Sequence, residues 1–231
     1  MALLALADLH LSRGAAKPMD IFGPIWSNHE EKIATNWKRV VQPEDLTLVP
    51  GDISWALKLN EALPDLHWLA QLPGRKLLLR GNHDYWWSGI GKVRRALPPD
   101  IHTLQNDHFS WGEWAICGSR GWLCPGHEGF DPRRDERIYQ REIQRLKLSL
   151  ESAQRAGFRQ IVVALHYPPT NGRHEESGFT SLFTQYPVKK CVYGHLHGPA
   201  HATALEGEWR GVMYYLVAAD AVDFTPVVIL K

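Results

Sequence analysis

Short apolar runs recur along the chain with turn residues or charges behind each: residues 2–7, 46–49, 76–79, 114–117, 161–165, 191–193, 212–217 and 227–230. Runs this short suit strands buried on both faces better than helices. Patterns of helical period lie between the early runs. Ser27 followed by Glu30 is a capping-box signature, and Trp26, Ile33, Trp37 and Val40 then share one helical face. Residues 65–72 and 88–97 predict two shorter helices. The longest pattern covers 135–156, where Tyr139, Ile143, Leu146, Leu150 and Ala153 form a stripe that predicts a helix lying on a sheet, with Arg and Lys outward. Strands alternate with helices in the first half and dominate the end, so the chain reads as a layered α/β domain. Residues 118–134 and 167–178 fit neither period and are rich in Gly, Pro and charge. Both follow predicted strands, which makes them loops at strand ends, where α/β proteins keep their sites.

Composition narrows the class. The 231 residues are 44% hydrophobic and 22% charged with a formal net charge of +1, the balance of an ordinary globular protein. No linker, repeat or low-complexity tract divides them, and residues 1–231 read as one domain. Near-neutrality argues against a nucleic-acid partner held by bulk electrostatics. The three cysteines, Cys117, Cys124 and Cys191, form no C-x-x-C pair and predict a reduced, cytoplasmic protein without a disulfide framework. Residues 1–7 end in Ala5-Leu6-Ala7, which looks like a signal-peptide cleavage site, but no basic segment precedes it, and we read a strand. No apolar run approaches the roughly 18–20 residues that span a bilayer, so no membrane partner is expected.

The 12 histidines direct the search for chemistry to the residues that follow the apolar runs. The first run leads into Asp8-Leu9-His10, the second through Pro50 into Gly51-Asp52, and the third through Arg80 into Gly81-Asn82-His83-Asp84. Run 161–165 meets His166, and run 191–193 leads through Gly194 into His195-Leu196-His197. Polar groups crowded together this way are costly unless something satisfies them, and divalent cations do so. Carboxylate, amide oxygen and imidazole without thiolate suit Mn²⁺ or Fe²⁺, with Zn²⁺ or Co²⁺ as alternatives. Asp8, His10, Asp52, Asn82, His166, His195 and His197 are too many ligands for one ion with an open position. They suit two ions sharing a bridging carboxylate at a spacing of about 3.5–4 Å.

The ordered blocks D-x-H, G-D, G-N-H-D, a lone His and G-H-x-H resemble the signature of the calcineurin-like metallophosphoesterase superfamily. Together they span Asp8 to His197. The resemblance implies a four-layer α-β-β-α sandwich with a dinuclear site at the carboxyl edge of the strands. It also implies that Asp8, His10, Asp52 and His197 hold one ion, that Asp52 bridges, and that Asn82, His166 and His195 hold the other. His83 would then stand unligated beside the substrate phosphate and act with Asp52 in catalysis. Tyr85-Trp86-Trp87 and Gly118-Ser119-Arg120-Gly121-Trp122 are similar to a group of bacterial predicted phosphohydrolases.

The departures also matter. Protein serine/threonine phosphatases of this superfamily read G-D-x-V-D-R-G, whereas this chain reads Gly51-Asp52-Ile53-Ser54-Trp55-Ala56. The resemblance therefore points away from phosphoproteins and towards hydrolysis of a small soluble phosphodiester or phosphomonoester by a metal-bound hydroxide. A nuclease acting on short or single-stranded nucleic acid is the alternative reading, and a non-catalytic scaffold of the same fold is the third. Arg120 is a candidate clamp for a phosphate oxygen, and Asp84 a candidate to orient His83 or face the substrate. Trp86, Trp87 and Trp122 are candidates to stack on a planar leaving group, although ordinary packing suits each better. His174 is the histidine outside the blocks best placed, by its loop, to meet a substrate. No protein partner can be inferred.

Overall fold

The computed structural model describes residues 1–15 and 17–231. The chain is a mixed α/β protein with two sheets and flanking helices, as the sequence predicts. It divides into two compact units, Met1–Thr103 with Val217–Lys231, and Leu104–Leu216.

The first unit carries strands β1 (Leu3–Ala5), β2 (Leu46–Pro50), β3 (Arg75–Leu79), β4 (Ile101–Thr103) and β11 (Val227–Leu230), in the order β11-β1-β2-β3-β4. β1 to β4 are parallel neighbours and β11 closes the edge antiparallel to β1. Every residue of β1 and β2 is buried, which explains why their sequences are apolar apart from Thr47. The helices of this unit are α1 (His29–Val40), α2 (Leu59–Ala70) and α3 (Ile90–Ala96). Ile33 and Trp37 of α1, Leu66 and Leu69 of α2 and Val93 of α3 join Leu4, Val49 and Leu78 of the sheet in one core. Trp86 and Trp87, 1% and 2% exposed, belong to the same core. They serve packing and present no face to a ligand.

The second unit carries β5 (His108–Trp111), β6 (Trp114–Ser119), β7 (Gln160–Leu165), β8 (Val188–Tyr193), β9 (Gly207–Trp209) and β10 (Val212–Leu216), in the order β5-β6-β7-β8-β10-β9. The four central strands are parallel, and β5 and β9 are antiparallel edges formed by hairpins. α4 (Pro132–Arg155) packs on β5 and β6 and against α5 (Gly178–Gln185). Its stripe Tyr139, Leu146, Leu150 and Ala153 is buried.

Several boundaries differ from the sequence reading. α1 does not use the Ser27–Glu30 box. Its N-cap is Asn28, in the left-handed region at φ 53°, and Glu30 pairs instead with Arg13 at 2.8 Å. α2 starts six residues before 65 and continues through Pro64. α4 starts before 135 because Asp131 caps it, accepting from Arg133 N at 3.0 Å, and Pro132 occupies the first turn. Residue 178 ends the expected loop and opens α5, with Ser177 Oγ accepting from Phe179 N and Thr180 N.

Candidate metal centre

In the first unit β1, β2 and β3 are parallel neighbours, so their carboxyl ends open on one sheet edge. The chain leaving them carries Asp8 and His10, then Asp52, then Asn82, His83 and Asp84. The exits are laced together by backbone: Asp8 N donates to Gly51 O at 3.0 Å and His10 N to Asp52 O at 2.9 Å. Asp8, Asp52 and His10 are 0%, 2% and 4% exposed. A carboxylate oxygen of Asp8 lies within 4.8 Å of a ligand atom of Asp52 and of His10, and His10 Nε2 is 3.9 Å from Asp52 Oδ2.

Three features hold this arrangement. Asp8, His10 and Asp52 have φ of 60°, 45° and 51°, a left-handed conformation that Asp and His adopt more readily than other non-glycine residues but that still costs about 1–3 kcal/mol each. Strain of this kind, concentrated on buried polar residues, marks a functional turn. Gly81 is the second feature, because a Cβ there would collide with Asp52 Oδ1 and the Asp52 backbone nitrogen. The third is Asp84. Its Oδ1 accepts from Ile53 N at 2.9 Å, Ser54 N at 3.2 Å and Trp86 Nε1 at 2.9 Å, and its Oδ2 accepts from Gly81 N at 2.7 Å. The Asp84 carboxylate thus ties the turn after β2 to the turn after β3. Burial, and then the charge of Asp52, push its pKa up to about 6.

His83 N donates to Asp52 Oδ1 at 2.8 Å, so the main chain of His83 is anchored on the central carboxylate. Its ring packs on Trp55 at 4.6 Å, and Trp55 also stacks on His10 at 4.8 Å and 21°. One indole therefore sets the planes of two imidazoles. Trp26, edge-on to His10 at 5.7 Å, completes the enclosure. This use of Trp55 was not apparent from sequence. Its only signal was the departure of residue 55 from the phosphatase pattern.

In the second unit the parallel neighbours β6, β7 and β8 deliver Arg120, His166, and His195 with His197 at their carboxyl ends. His166 N and Tyr167 N both donate to Arg120 O at 3.0 Å, and Gly194 N donates to His166 O at 3.1 Å. His195 Nδ1 is 3.3 Å from His166 Nε2. Two imidazole nitrogens so close suit a shared proton or a shared ion. His195 is the fourth candidate ligand with left-handed backbone, at φ 72°. Tyr167 covers its ring at 3.9 Å and Trp122 packs on Tyr167 at 5.0 Å. The guanidinium of Arg120 lies 4.5 Å over Trp122 and 3.6 Å from Glu142, a fully buried helix residue.

The histidines outside the blocks have other neighbours. His174 Nε2 meets Thr203 O at 3.1 Å, and His108 Nδ1 meets Ser152 Oγ at 2.9 Å. A ring nitrogen of His201 lies within 4.8 Å of one of His197, a proximity the sequence did not suggest.

The donor chemistry fits divalent metal: carboxylate oxygen, amide oxygen and imidazole, without thiolate. Cys117, Cys124 and Cys191 are free and buried, and burial pushes the Cys117 and Cys124 thiols up to about 12, which disfavours the thiolate form that binds metal. Among the described residues no helix is long and apolar enough to cross a membrane.

Comparison with known proteins agrees with this chemistry. The sequence matches the family described as Calcineurin-like phosphoesterase over residues 1–199. It is 31% identical over 193 residues to the Gene 66 protein of Mycobacterium phage L5, covering 84% of this chain and 76% of that protein. It is 38% identical over 79 residues to the Gene 66 protein of Mycobacterium phage D29, covering 34% of this chain and only 38% of that relative's length. The fold is similar to that of a phosphopantetheinyl hydrolase from Mycobacterium tuberculosis, with a TM-score of 0.54 at 17% identity, covering 94% of this chain and 88% of the other.

Proposed function

We propose, since the chain belongs to the calcineurin-like phosphoesterase family, that this phosphoester hydrolase is a dinuclear metallohydrolase acting on a small soluble phosphomonoester or phosphodiester. The proposed ligands of two divalent ions, Mn²⁺ or Fe²⁺ first, are Asp8, His10, Asp52, Asn82, His166, His195 and His197, with Asp52 as the bridge. The whole chain acts as one domain in this reading, and its free cysteines suit a reducing cytoplasm. The observation that carries the reading is the strained, left-handed backbone at Asp8, His10, Asp52 and His195, each at the carboxyl end of a parallel strand.

Divalent ions at such ligands lower the pKa of water from 15.7 to about 7 and neutralise phosphate charge. The chain's own residues do the rest. Asp52 anchors the His83 main chain through the 2.8 Å bond, and Trp55 holds the His83 ring from one side. As the oxygen of water gives up a proton to solvent and forms its bond to phosphorus, and the bond to the leaving oxygen breaks, His83 donates a proton to that leaving oxygen and is reprotonated from solvent. Arg120 offers its guanidinium to a phosphate oxygen, pre-oriented by Trp122 and Glu142.

The test is hydrolysis by the purified chain, with added Mn²⁺, of mono- and bis-p-nitrophenyl phosphate and a short single-stranded oligonucleotide. Turnover of the small esters that chelation abolishes is expected. Faster cleavage of the oligonucleotide would replace the reading with a nuclease, and no turnover in any metal would reject the enzyme.

A further inference from the structure

The second unit contains a cavity of about 220 Å³ that the reaction as described does not use. Trp122, Leu123 and Leu196 form its apolar walls, His127 and Thr170 supply its polar groups, and the candidate ligand His195 is part of the same lining. No Lys, Arg, Asp or Glu lines it among the described residues. Its volume exceeds the roughly 150 Å³ of an apolar cavity able to hold benzene, and it is too small for a second large group.

Its walls are braced. Trp122 Nε1 donates to Asp135 Oδ1 at 3.1 Å, and Asp135, itself fully buried, also accepts from Arg134 and from Asp131 N. Tyr167 supports both Trp122 and His195 from behind. A flat aromatic wall fixed by hydrogen bonds is preorganised for a ring, so less ordering is lost on binding. The polar complement is sparse. His127 Nδ1 accepts from Gly129 N at 2.9 Å, which leaves Nε2 of the neutral ring as a donor, and Thr170 adds one hydroxyl.

We propose that this cavity is the leaving-group subsite of the enzyme, and that the substrate is a phosphoester of a compact, uncharged alcohol bearing one ring or a short branched chain. The proposal rests on the phosphohydrolase reading, in which His195, part of this lining, is a metal ligand. The lining offers no Lys or Arg to pair with a second phosphate or a carboxylate on the leaving group, and burying an unpaired charge is far costlier than burying an apolar ring. Apolar burial of the ring supplies a discrimination of about 10- to 100-fold.

Two measurements on the full chain test it. In the first, benzyl alcohol is titrated into metal-free protein and binding is read by ligand-observed NMR. Saturable binding is expected, weakened at least tenfold in Leu123→Trp, which fills the cavity. Thr170→Val, which keeps the side-chain shape and removes the hydroxyl, should weaken benzyl alcohol several-fold but not toluene. In the second, phenyl phosphate and 4-carboxyphenyl phosphate are compared in Mn²⁺. The carboxylate should lower kcat/KM by about 10- to 100-fold although it does not impair the leaving group. Hydrolysis of both esters at equal kcat/KM, with no saturable alcohol binding, would overturn the subsite and leave the phosphohydrolase standing. Alcohol binding without turnover of any phosphoester would instead overturn the enzyme reading and leave the cavity as a binding site.

Discussion

At Asp52 the backbone lies at φ 51°, a conformation that Asn tolerates as well as Asp does. Asp52→Asn therefore preserves the turn, and its amide oxygen can still accept from His83 N, while the negative charge is gone. The expected outcome is a thermal melt close to wild type in metal-free buffer, loss of bound metal by elemental analysis and collapse of turnover. Full retention of both ions would show that Asp52 does not bridge. His83 is the contrasting case. His83→Ala should keep its metal and lose about 10²–10⁴ in kcat, the usual worth of a positioned general acid. The loss should be smaller for p-nitrophenyl phosphate, whose leaving group departs without a proton. An equal loss for good and poor leaving groups would make His83 a stabiliser of phosphate charge instead. Trp55 carries a prediction of its own. It stands where the protein-phosphatase pattern has Asp, and its stacking on His10 and His83 leaves no carboxylate at that position to orient His83. A phosphoserine peptide should be hydrolysed much more slowly than the best small phosphoester, and equal rates would refute that inference. The ligand candidates were legible because consecutive residues spell them out. The partners that fix them, Trp55, Asp84 and Tyr167, were not, because what they touch is set by turns that bring distant segments together.

Elements show the same division. β2 and β7 could be read from apolar runs because burial on both faces leaves a nearly continuous signature. β5, His108–Trp111, is an edge strand with two half-buried residues and one exposed, so no run betrays it. α5 is short, five of its eight residues are Gly, Phe or Thr, residues of low helix propensity, and Ser177 caps it. Lys76 shows how an element's end can depend on a residue far from helical in pattern. It is a fully buried lysine of β3, and its Nζ donates to Leu72 O and to Ala70 O, at the carboxyl end of α2, where a cation complements the helix dipole. Burial lowers its pKa from 10.5 to about 8. Between those two values the unfolded chain binds the proton that the folded chain has released, so stability rises with pH through this window and is lost again as pH falls through about 8. Lys76→Met removes the titration. The melting temperature of the wild type should therefore climb relative to that of Lys76→Met between pH 8 and 10, measured without metal. Parallel curves would show that the ammonium is not desolvated. The Ser27–Glu30 box carries a related lesson: a correct local signature lost to a tertiary ion pair, Glu30 with Arg13.

For the whole molecule, the strain at Asp8, His10, Asp52 and His195 raises the question of what compensates it. Backbone strain of this kind persists only where its surroundings over-determine it. In the metal-free chain that support is the lacing of strand exits and the Asp84 strut. Ions that bind the folded chain and not the unfolded one add RT ln(1 + [L]/Kd), about 2.7 kcal/mol at a hundredfold excess over Kd. For a chain of 231 residues each kcal/mol moves the melting temperature by roughly 2–4 °C, so saturating Mn²⁺ should raise it by roughly 5–11 °C. The shift should grow with the logarithm of metal concentration, vanish on chelation and be nearly absent in Asp52→Asn. Elemental analysis of the loaded protein should find close to two ions per chain. A single ion with the full thermal shift would keep the hydrolase and remove the dinuclear assignment. No ion and no shift in Mn²⁺, Co²⁺ or Zn²⁺ would mean that the strained turns serve something other than metal, and the third reading, a scaffold of the same fold, would take the place of the enzyme.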